Sequence, residues 1–230
     1  MKSTPEEIRA RFDKDVERFS NLETGQSATI DAPLAMELIA QAAARSTPHA
    51  TALVDIGCGA GNLSLKLRAY LPRLDVTLID LSLPMLTRAG ERVGNGFRLI
   101  QSDIRDVPLQ AESFDIAVGA AVFHHLRGED EWRSVFSKIY RSLRPGGSFW
   151  ISDLICHSTP AVQELMWTRY GEYLTALKDE NYRRHVFEYV EYEDTPRPLL
   201  FQIDLLREVG FREVEILHKN SCFAAFGALK

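Results

Sequence analysis

The stretch Leu53-Val54-Asp55-Ile56-Gly57-Cys58-Gly59-Ala60-Gly61-Asn62 restricts the fold of this chain more than any other part of it. An apolar, β-branched run ends in an acid, three glycines follow at alternate positions, and a helix-forming segment, 63–71, begins at once. That order predicts a strand, a tight turn and a helix whose first N–H groups point out toward an anionic or polar ligand. Gly57 and Gly59 carry no Cβ, so a ligand can lie against the main chain and positive φ is accessible. Val76-Thr77-Leu78-Ile79-Asp80 repeats the strand-then-acid order. Asp80 falls about 20 residues past the loop, where α/β nucleotide-binding folds place a carboxylate on ribose hydroxyls. A ribose-bearing ligand is the expected occupant.

Around this unit strands and helices alternate. Strand 51–56 leads to helix 62–71, strand 74–80, helix 83–93, strand 97–101, strand 114–119, helix 129–143 and strand 147–153. Such alternation implies parallel pairing through right-handed crossovers, hence a doubly wound α/β sheet. A helix at 198–209 and strands near 212–218 and 222–229 complete a mostly parallel, seven-stranded sheet. Residues 4–20 read as one helix, with Ser3 or Thr4 as N-cap and Pro5 at its first position. Its apolar face, Ile8, Phe12, Val16 and Phe19, either packs on the domain or caps the ligand. A loop at 21–30 precedes a second helix capped by Asp31. The chain therefore reads as a single domain, 1–230, with an N-terminal helical cap over 1–48 and a helical lid inserted over 155–198.

At 45% apolar and 26% charged residues, the composition is that of an ordinary globular protein. A net charge of −5 argues against a broad nucleic-acid-binding face. The amino terminus has no apolar signal core and no run approaches a membrane span, so a cytoplasmic location without membrane contact is expected. Three widely separated cysteines give neither a disulfide framework nor a C-x-x-C metal pair, and no metal ligands are expected. Cys58, inside the glycine turn with no base partner in view, reads as a small loop residue.

A dinucleotide fingerprint counted from Gly57 would place glycine at position 62, where Asn62 stands. Asp-Ile-Gly-Cys-Gly-Ala-Gly-Asn instead resembles the first motif of class I S-adenosylmethionine (SAM) dependent methyltransferases. Gln101-Ser102-Asp103-Ile104, Ser113-Phe114-Asp115-Ile116-Ala117-Val118-Gly119 and Leu143-Arg144-Pro145-Gly146-Gly147 resemble further motifs of the family, over roughly 50–154 and 199–230. The resemblance implies a Rossmann-like fold, SAM as cofactor and S-adenosylhomocysteine (SAH) as product. The cofactor-binding residues it implies are Asp55, Gly57, Cys58, Gly59, Gly61, Asn62, Asp80, Leu81, Met85, Asp103, Ile104 and Ala120. Among them Asp103 would accept from the adenine amino group and the Ile104 N–H would meet a ring nitrogen.

The acceptor is less legible, because an activated sulfonium methyl needs little beyond a well-placed nucleophile. His124 and His125, at the end of the fourth strand, could orient substrate, take a proton or only line the cofactor. Trp167, Tyr170 and Tyr173 form a helical stripe that is either core or pocket wall. Arg183 and Arg184 are either solvated or positioned to hold a substrate carboxylate or phosphate. The catalytic candidates are thus His124, Arg183, Arg184 and Tyr170. The expected partner is a small acceptor, anionic where an arginine of the pair holds it; tRNA stays open and a homodimer is compatible. Leu206-Arg207-Glu208-Val209-Gly210-Phe211 and Cys222-Phe223-Ala224-Ala225-Phe226-Gly227 are similar to a subgroup that includes the enzyme making carboxy-SAM for tRNA wobble-uridine modification. Carboxy-SAM formation is one alternative, and a noncatalytic SAM-binding module is another.

Overall fold

The computed structural model describes residues 2–21 and 25–230. The chain runs through α1 (Pro5–Phe12), α2 (Val16–Ser20), α3 (Ala32–Ser46), β1 (Ala52–Ile56), α4 (Asn62–Tyr70), β2 (Asp75–Asp80), α5 (Leu83–Val93), β3 (Phe97–Gln101) and β4 (Phe114–Ala120). A 3-10 turn (Phe123–His125) leads into α6 (Glu129–Ser142), β5 (Leu143–Leu154), α7 (Pro160–Leu177), α8 (Glu180–Glu193), α9 (Leu199–Val209), β6 (Glu213–Asn220) and β7 (Phe223–Leu229). The seven strands form one sheet in the order β3-β2-β1-β4-β5-β7-β6, parallel except for β7, which runs antiparallel between β5 and β6.

Leu53, Val54 and Ile56 of β1 are buried on both faces, as the centre of a parallel sheet requires. The edges differ. Phe97 and Leu99 leave β3 partly exposed, and Glu213, Glu215 and Lys219 line β6, charges that discourage edge-to-edge pairing. One helical layer (α6 and α9) buries Trp132, Phe136, Ile139 and Leu206 with Phe123 and Phe149. The opposite layer (α3, α4 and α5) buries Met36, Ile39, Leu63, Leu67, Leu86 and Trp150. A third cluster joins α7 and α8 to the end of β7 through Tyr170, Leu174, Val186 and Phe223. Each fully buried aliphatic or aromatic side chain here contributes about 1.5–3 kcal/mol.

Several local expectations are corrected. The single helix expected over 4–20 is two, because Asp13 and Asp15 are poor interior residues. Asp13 turns its carboxylate to the Ser82 hydroxyl at 2.5 Å, and Asp15 takes the position before α2. Thr4, not Ser3, caps α1, in a reciprocal capping box with Glu7. Asp31 precedes α3 in the left-handed region (φ 58°) but makes no capping bond. Its carboxylate instead accepts from His218 Nε2 and Asn220 Nδ2, each at 2.8 Å, and ties the start of α3 to β6. Of the expected loop 21–30, residues 22–24 lie outside the described residues and 25–30 form turns. Within the expected cap of 1–48, α3 is built into the sheet's helical layer and reaches the site only through Met36, beside α1, α2 and the turns at 25–29. β5 begins at Leu143, earlier than expected, with a register irregularity against β4. The helical stretch after β5 breaks at Asp179, which caps α8 through a bond from the Tyr182 N–H at 2.7 Å. Among the described residues no helix is long and apolar enough to cross a membrane.

Candidate functional site

The carboxyl ends of β1, β2, β4 and β5 open on a cavity of about 570 Å³, within the range of small-molecule sites. Its floor is the glycine turn. Gly57, Gly59 and Gly61 have φ of 63°, 49° and 79°, all in the left-handed region. A Cβ on Gly57 would lie 2.4 Å from Val122 Cγ2, whereas one on Gly59 would meet no atom within 4 Å. The first glycine is required by packing, and the second faces open space. Gly61 does not line the cavity; it starts α4 and packs against Ala89 and Val93, so its place among the cofactor residues is corrected to a packing role.

Asp80 locks the turn. Its Oδ2 accepts from the Gly59 N–H at 2.8 Å and its Oδ1 from the Ser82 N–H at 2.9 Å. Burial pushes its carboxyl above the usual range, against those backbone bonds. Each oxygen keeps a second lone pair toward the cavity. Asp55 accepts from the Ser64 hydroxyl at 2.6 Å; burial, with the Asp80 charge beside it, pushes its carboxyl up to about 7. The Cys58 thiol is pushed well above its ordinary value by burial and by the same two carboxylates, so it stays protonated and is no nucleophile. Asn62 donates to the Phe19 carbonyl at 2.9 Å, which fastens α2 over the turn.

Leu81, Met85, Asp103, Ile104 and Ala120 also line the cavity. Asp103 is not free to serve adenine alone. It accepts from Arg105 through the backbone N–H at 2.9 Å, Nε at 3.0 Å and Nη2 at 2.7 Å. Burial raises its carboxyl, but these bonds outweigh it and the net shift is downward.

The opposite end of the cavity is made of side chains from distant segments. Ala121, at φ 53°, turns the chain out of β4 and starts the 3-10 turn that carries His124 and His125. Asp153 at the end of β5 accepts from the N–H groups of Phe123 (2.8 Å), His124 (3.2 Å) and Leu154 (2.7 Å), and bonds His124 Nδ1. Asp194, just past α8, lies 3.6 Å from His124 Nε2 and 3.3 Å from His125 Nδ1. Burial pulls His124 down, but Asp194 and Asp153 outweigh it and hold it up at about 9. Burial and the charge of His124 together lower His125.

The roof is α1, α2 and α8. Ile8, Phe12 and Phe19 face the cavity, while Val16, expected on the same face, does not. Arg11 lies between the Phe12 and Tyr189 rings, 4.2 and 4.1 Å from their centroids. It also forks onto Glu193 with bonds of 2.9 and 2.7 Å, which clasps α1 to α8.

Arg183 and Arg184 do not reach the cavity. Arg183 pairs with Glu180 at 3.2 Å and rests against Gly171 and Phe187, while Arg184 bonds Asn181 at 2.7 Å within its own helix. The arginines that line the cavity are Arg11, Arg18 and Arg105. Tyr170 contributes to the wall, yet it is packed against Phe187 and Phe223, and burial drives its hydroxyl far above its ordinary value. Trp167, stacked on Phe187 at 4.5 Å, and Tyr173, bonded to the Ser27 carbonyl at 2.7 Å, pack half-buried against the third cluster. Sequence reading missed Asp194, Asp153, Arg11, Tyr189 and His185. The amphipathic face of α1 pointed toward Arg11, and the expected lid over 155–198 spans Tyr189, His185 and Asp194 without singling out their roles.

Residues 53–147 match the family model for the methyltransferase domain. The chain is 30% identical over 206 residues to a carboxy-S-adenosyl-L-methionine synthase of Chromohalobacter salexigens, covering 84% of this chain and 72% of that one. It is also 30% identical over 116 residues to an uncharacterised methyltransferase of Mycobacterium bovis, covering 50% of this chain; the match spans about half of that relative, 55%. In fold it is similar to the Burkholderia thailandensis 1,6-didemethyltoxoflavin-N1-methyltransferase solved with its substrate and SAH. The TM-score is 0.64 at 18% identity, over 99% of this chain and 91% of that one.

Proposed function

Because the chain belongs to the class I SAM-dependent methyltransferases, with SAM as cofactor, we propose that it transfers the SAM methyl group to a small acceptor held in the same cavity. One observation carries this reading. The cavity runs without interruption from the glycine turn and Asp80 to His125 and Asp194, under a roof clasped by Arg11 and Glu193. Its volume of about 570 Å³ favours a cofactor and a small molecule over a nucleic acid or a folded protein.

In this reading Asp80 meets the ribose diol, Asp103 and Ile104 the adenine, and Asp55 the polar end of the methionine part. The sulfonium methyl then points toward His125. A nucleophile on the acceptor attacks the methyl carbon in line, the C–S bond breaks, and its electron pair stays on sulfur to leave SAH. Phe12, Phe19 and Tyr189 exclude water, which strengthens the local electrostatics and keeps attack to the bound acceptor. The test incubates the protein with SAM carrying a labelled methyl group and a panel of small hydroxyl, carboxyl and amine acceptors. Stoichiometric SAH and one labelled product are expected, and SAM left intact across the panel would count against the reading.

A second reading has its own support. The similarity to the Chromohalobacter carboxy-SAM synthase spans 84% of this chain. Mass spectrometry of the ligand released from purified protein separates the two, with SAM or SAH expected for methyl transfer and carboxy-SAM for the alternative.

A further inference from the structure

At the acceptor end of the cavity, His124, His125 and Asp194 each bring one ligand atom within 4.8 Å of the other two. Sequence spacing named no metal ligands; folding brings Asp194, at the end of α8, onto the histidine pair at the end of β4. Asp194 Oδ1 stands 3.3 Å from His125 Nδ1 and 3.6 Å from His124 Nε2. Donor atoms about 2.0–2.1 Å from a tetrahedral dication stand about 3.3 Å apart, so these separations leave room for one ion between them.

The polar bookkeeping points the same way. Asp194 Oδ1 faces His125 Nδ1 and His124 Nε2 without an aligned hydrogen bond to either, and His125 Nε2 is buried with no hydrogen-bond partner. Asp194 itself is only 4% exposed. Native interiors rarely leave such atoms unsatisfied, and an ion beside Asp194 Oδ1 would serve that oxygen and the one His125 nitrogen that faces it. The next shell of His124 is satisfied. Asp153 bonds His124 Nδ1 while its carboxylate accepts three backbone N–H groups, which aims the Nε2 lone pair at the cluster. A carboxylate behind a histidine in this way is the usual support of a metal ligand. The Thr195 N–H donates to the His124 carbonyl at 2.7 Å and fixes Asp194 beside the turn.

We propose that His124, His125 and Asp194 bind one divalent transition-metal ion, of the zinc, cobalt(II) or iron(II) class, with Asp153 as its supporting carboxylate. Two imidazoles and a carboxylate on one side of the ion leave its remaining positions open to the cavity. The ion takes the place of the proton on His124, and the carboxylates of Asp194 and Asp153 then balance its charge across two neutral imidazoles. Resting on the methyl-transfer reading, the open positions take an acceptor hydroxyl oxygen. Coordination would lower the pKa of that hydroxyl, its proton would leave to solvent, and the oxygen would attack the methyl carbon as the C–S electron pair passes to sulfur.

The test uses full-length protein stripped of metal by a chelator and titrated with Co²⁺ alone, then with Zn²⁺ in competition, with no SAM or acceptor present. One equivalent of Co²⁺ with a visible d–d absorption is expected, displaced by Zn²⁺. His125→Ala and Asp194→Asn should each weaken binding at least about 100-fold, and Asp153→Asn about 10- to 100-fold, with circular dichroism unchanged. His49→Ala, at an exposed histidine, should bind as wild type does. Failure of wild type to bind one equivalent, or equal binding by folded His125→Ala or Asp194→Asn protein, would overturn the site. Because this readout needs no methyl acceptor, it stands or falls apart from the methyl-transfer reading. Chelated protein that forms SAH at the full rate on an identified acceptor would overturn the ion's contact with that acceptor.

Discussion

The two ends of the cavity are built in opposite ways. At the proposed cofactor end the work is done by backbone: Gly57 and Gly59 with positive φ, and a carboxylate, Asp80, bonded to two main-chain N–H groups. These parts come from the short run 55–82, and Asp103 and Ile104 join them from just past β3. At the acceptor end the work is done by side chains from α1, the 3-10 turn, β5 and the end of α8, and several polar atoms there have no hydrogen-bond partner. A site made of local backbone can be read from a motif and is sensitive to conformation. A site made of distant side chains is invisible in a motif and is sensitive to chemistry.

The largest expected effects lie in the turn, and two neighbouring glycines should fail differently. Gly57→Ala forces a Cβ onto Val122 at positive φ and should lower the unfolding free energy by about 2–5 kcal/mol, measured by denaturant titration. Gly59→Val meets open space, so stability should fall by only about 1–3 kcal/mol, from backbone strain alone. Its β-branched side chain projects toward the cavity, and SAM affinity by calorimetry should fall at least about 100-fold. Equal losses of stability and binding in the two variants would erase the distinction between packing glycine and ligand glycine.

Next in size, Asp80→Ala should weaken SAM binding by about 1–3 kcal/mol, the cost of lost charge-assisted hydrogen bonds. Unchanged affinity in folded protein would remove the carboxylate from the cofactor end.

Asp55 gives a pH-dependent test. Its folded-state carboxyl sits at about 7, above the ordinary 3.8, with the Asp80 carboxylate and the Cys58 thiol facing it. A raised folded value contributes stability that is full below about pH 4 and is lost as pH rises through 7. Asp55→Asn keeps an acceptor for the Ser64 hydroxyl and removes the charge. It should be more stable than wild type by about 1–2 kcal/mol near pH 8, since the buried amide N–H groups offset part of the gain. The advantage should vanish near pH 4 in paired denaturant titrations.

The smallest effect sharpens the comparison from outside the cavity. Arg183→Met and Arg184→Met should each leave SAM affinity and stability within about 0.5 kcal/mol, because their partners lie in their own helix. A loss of turnover with SAM binding kept in either variant would return that arginine to the acceptor end.

How much of this was legible follows the same division. The sheet's alternation and the ends of α5 and β3 were readable because periodicity and caps such as Ser82 are local. The break between α1 and α2 was not, since the partner of Asp13 is Ser82, far along the chain. Asp31 looked like a cap until His218 and Asn220 arrived from β6. Arg183 and Arg184 attracted attention as an adjacent pair, yet Glu180 and Asn181 within one turn already answer them. Asp194 carries no motif at all. It matters because α8 ends beside His124 and His125, and that is a property of the fold.

The most direct test of the two-ended account is a crystal structure of the protein with SAH. The account predicts ribose hydroxyls within hydrogen-bond distance of Asp80, adenine beside Asp103 and Ile104, and the thioether sulfur facing the space in front of His125 and Asp194. Adenosine seated against His125 and Asp194, or a sulfur turned away from them, would contradict it.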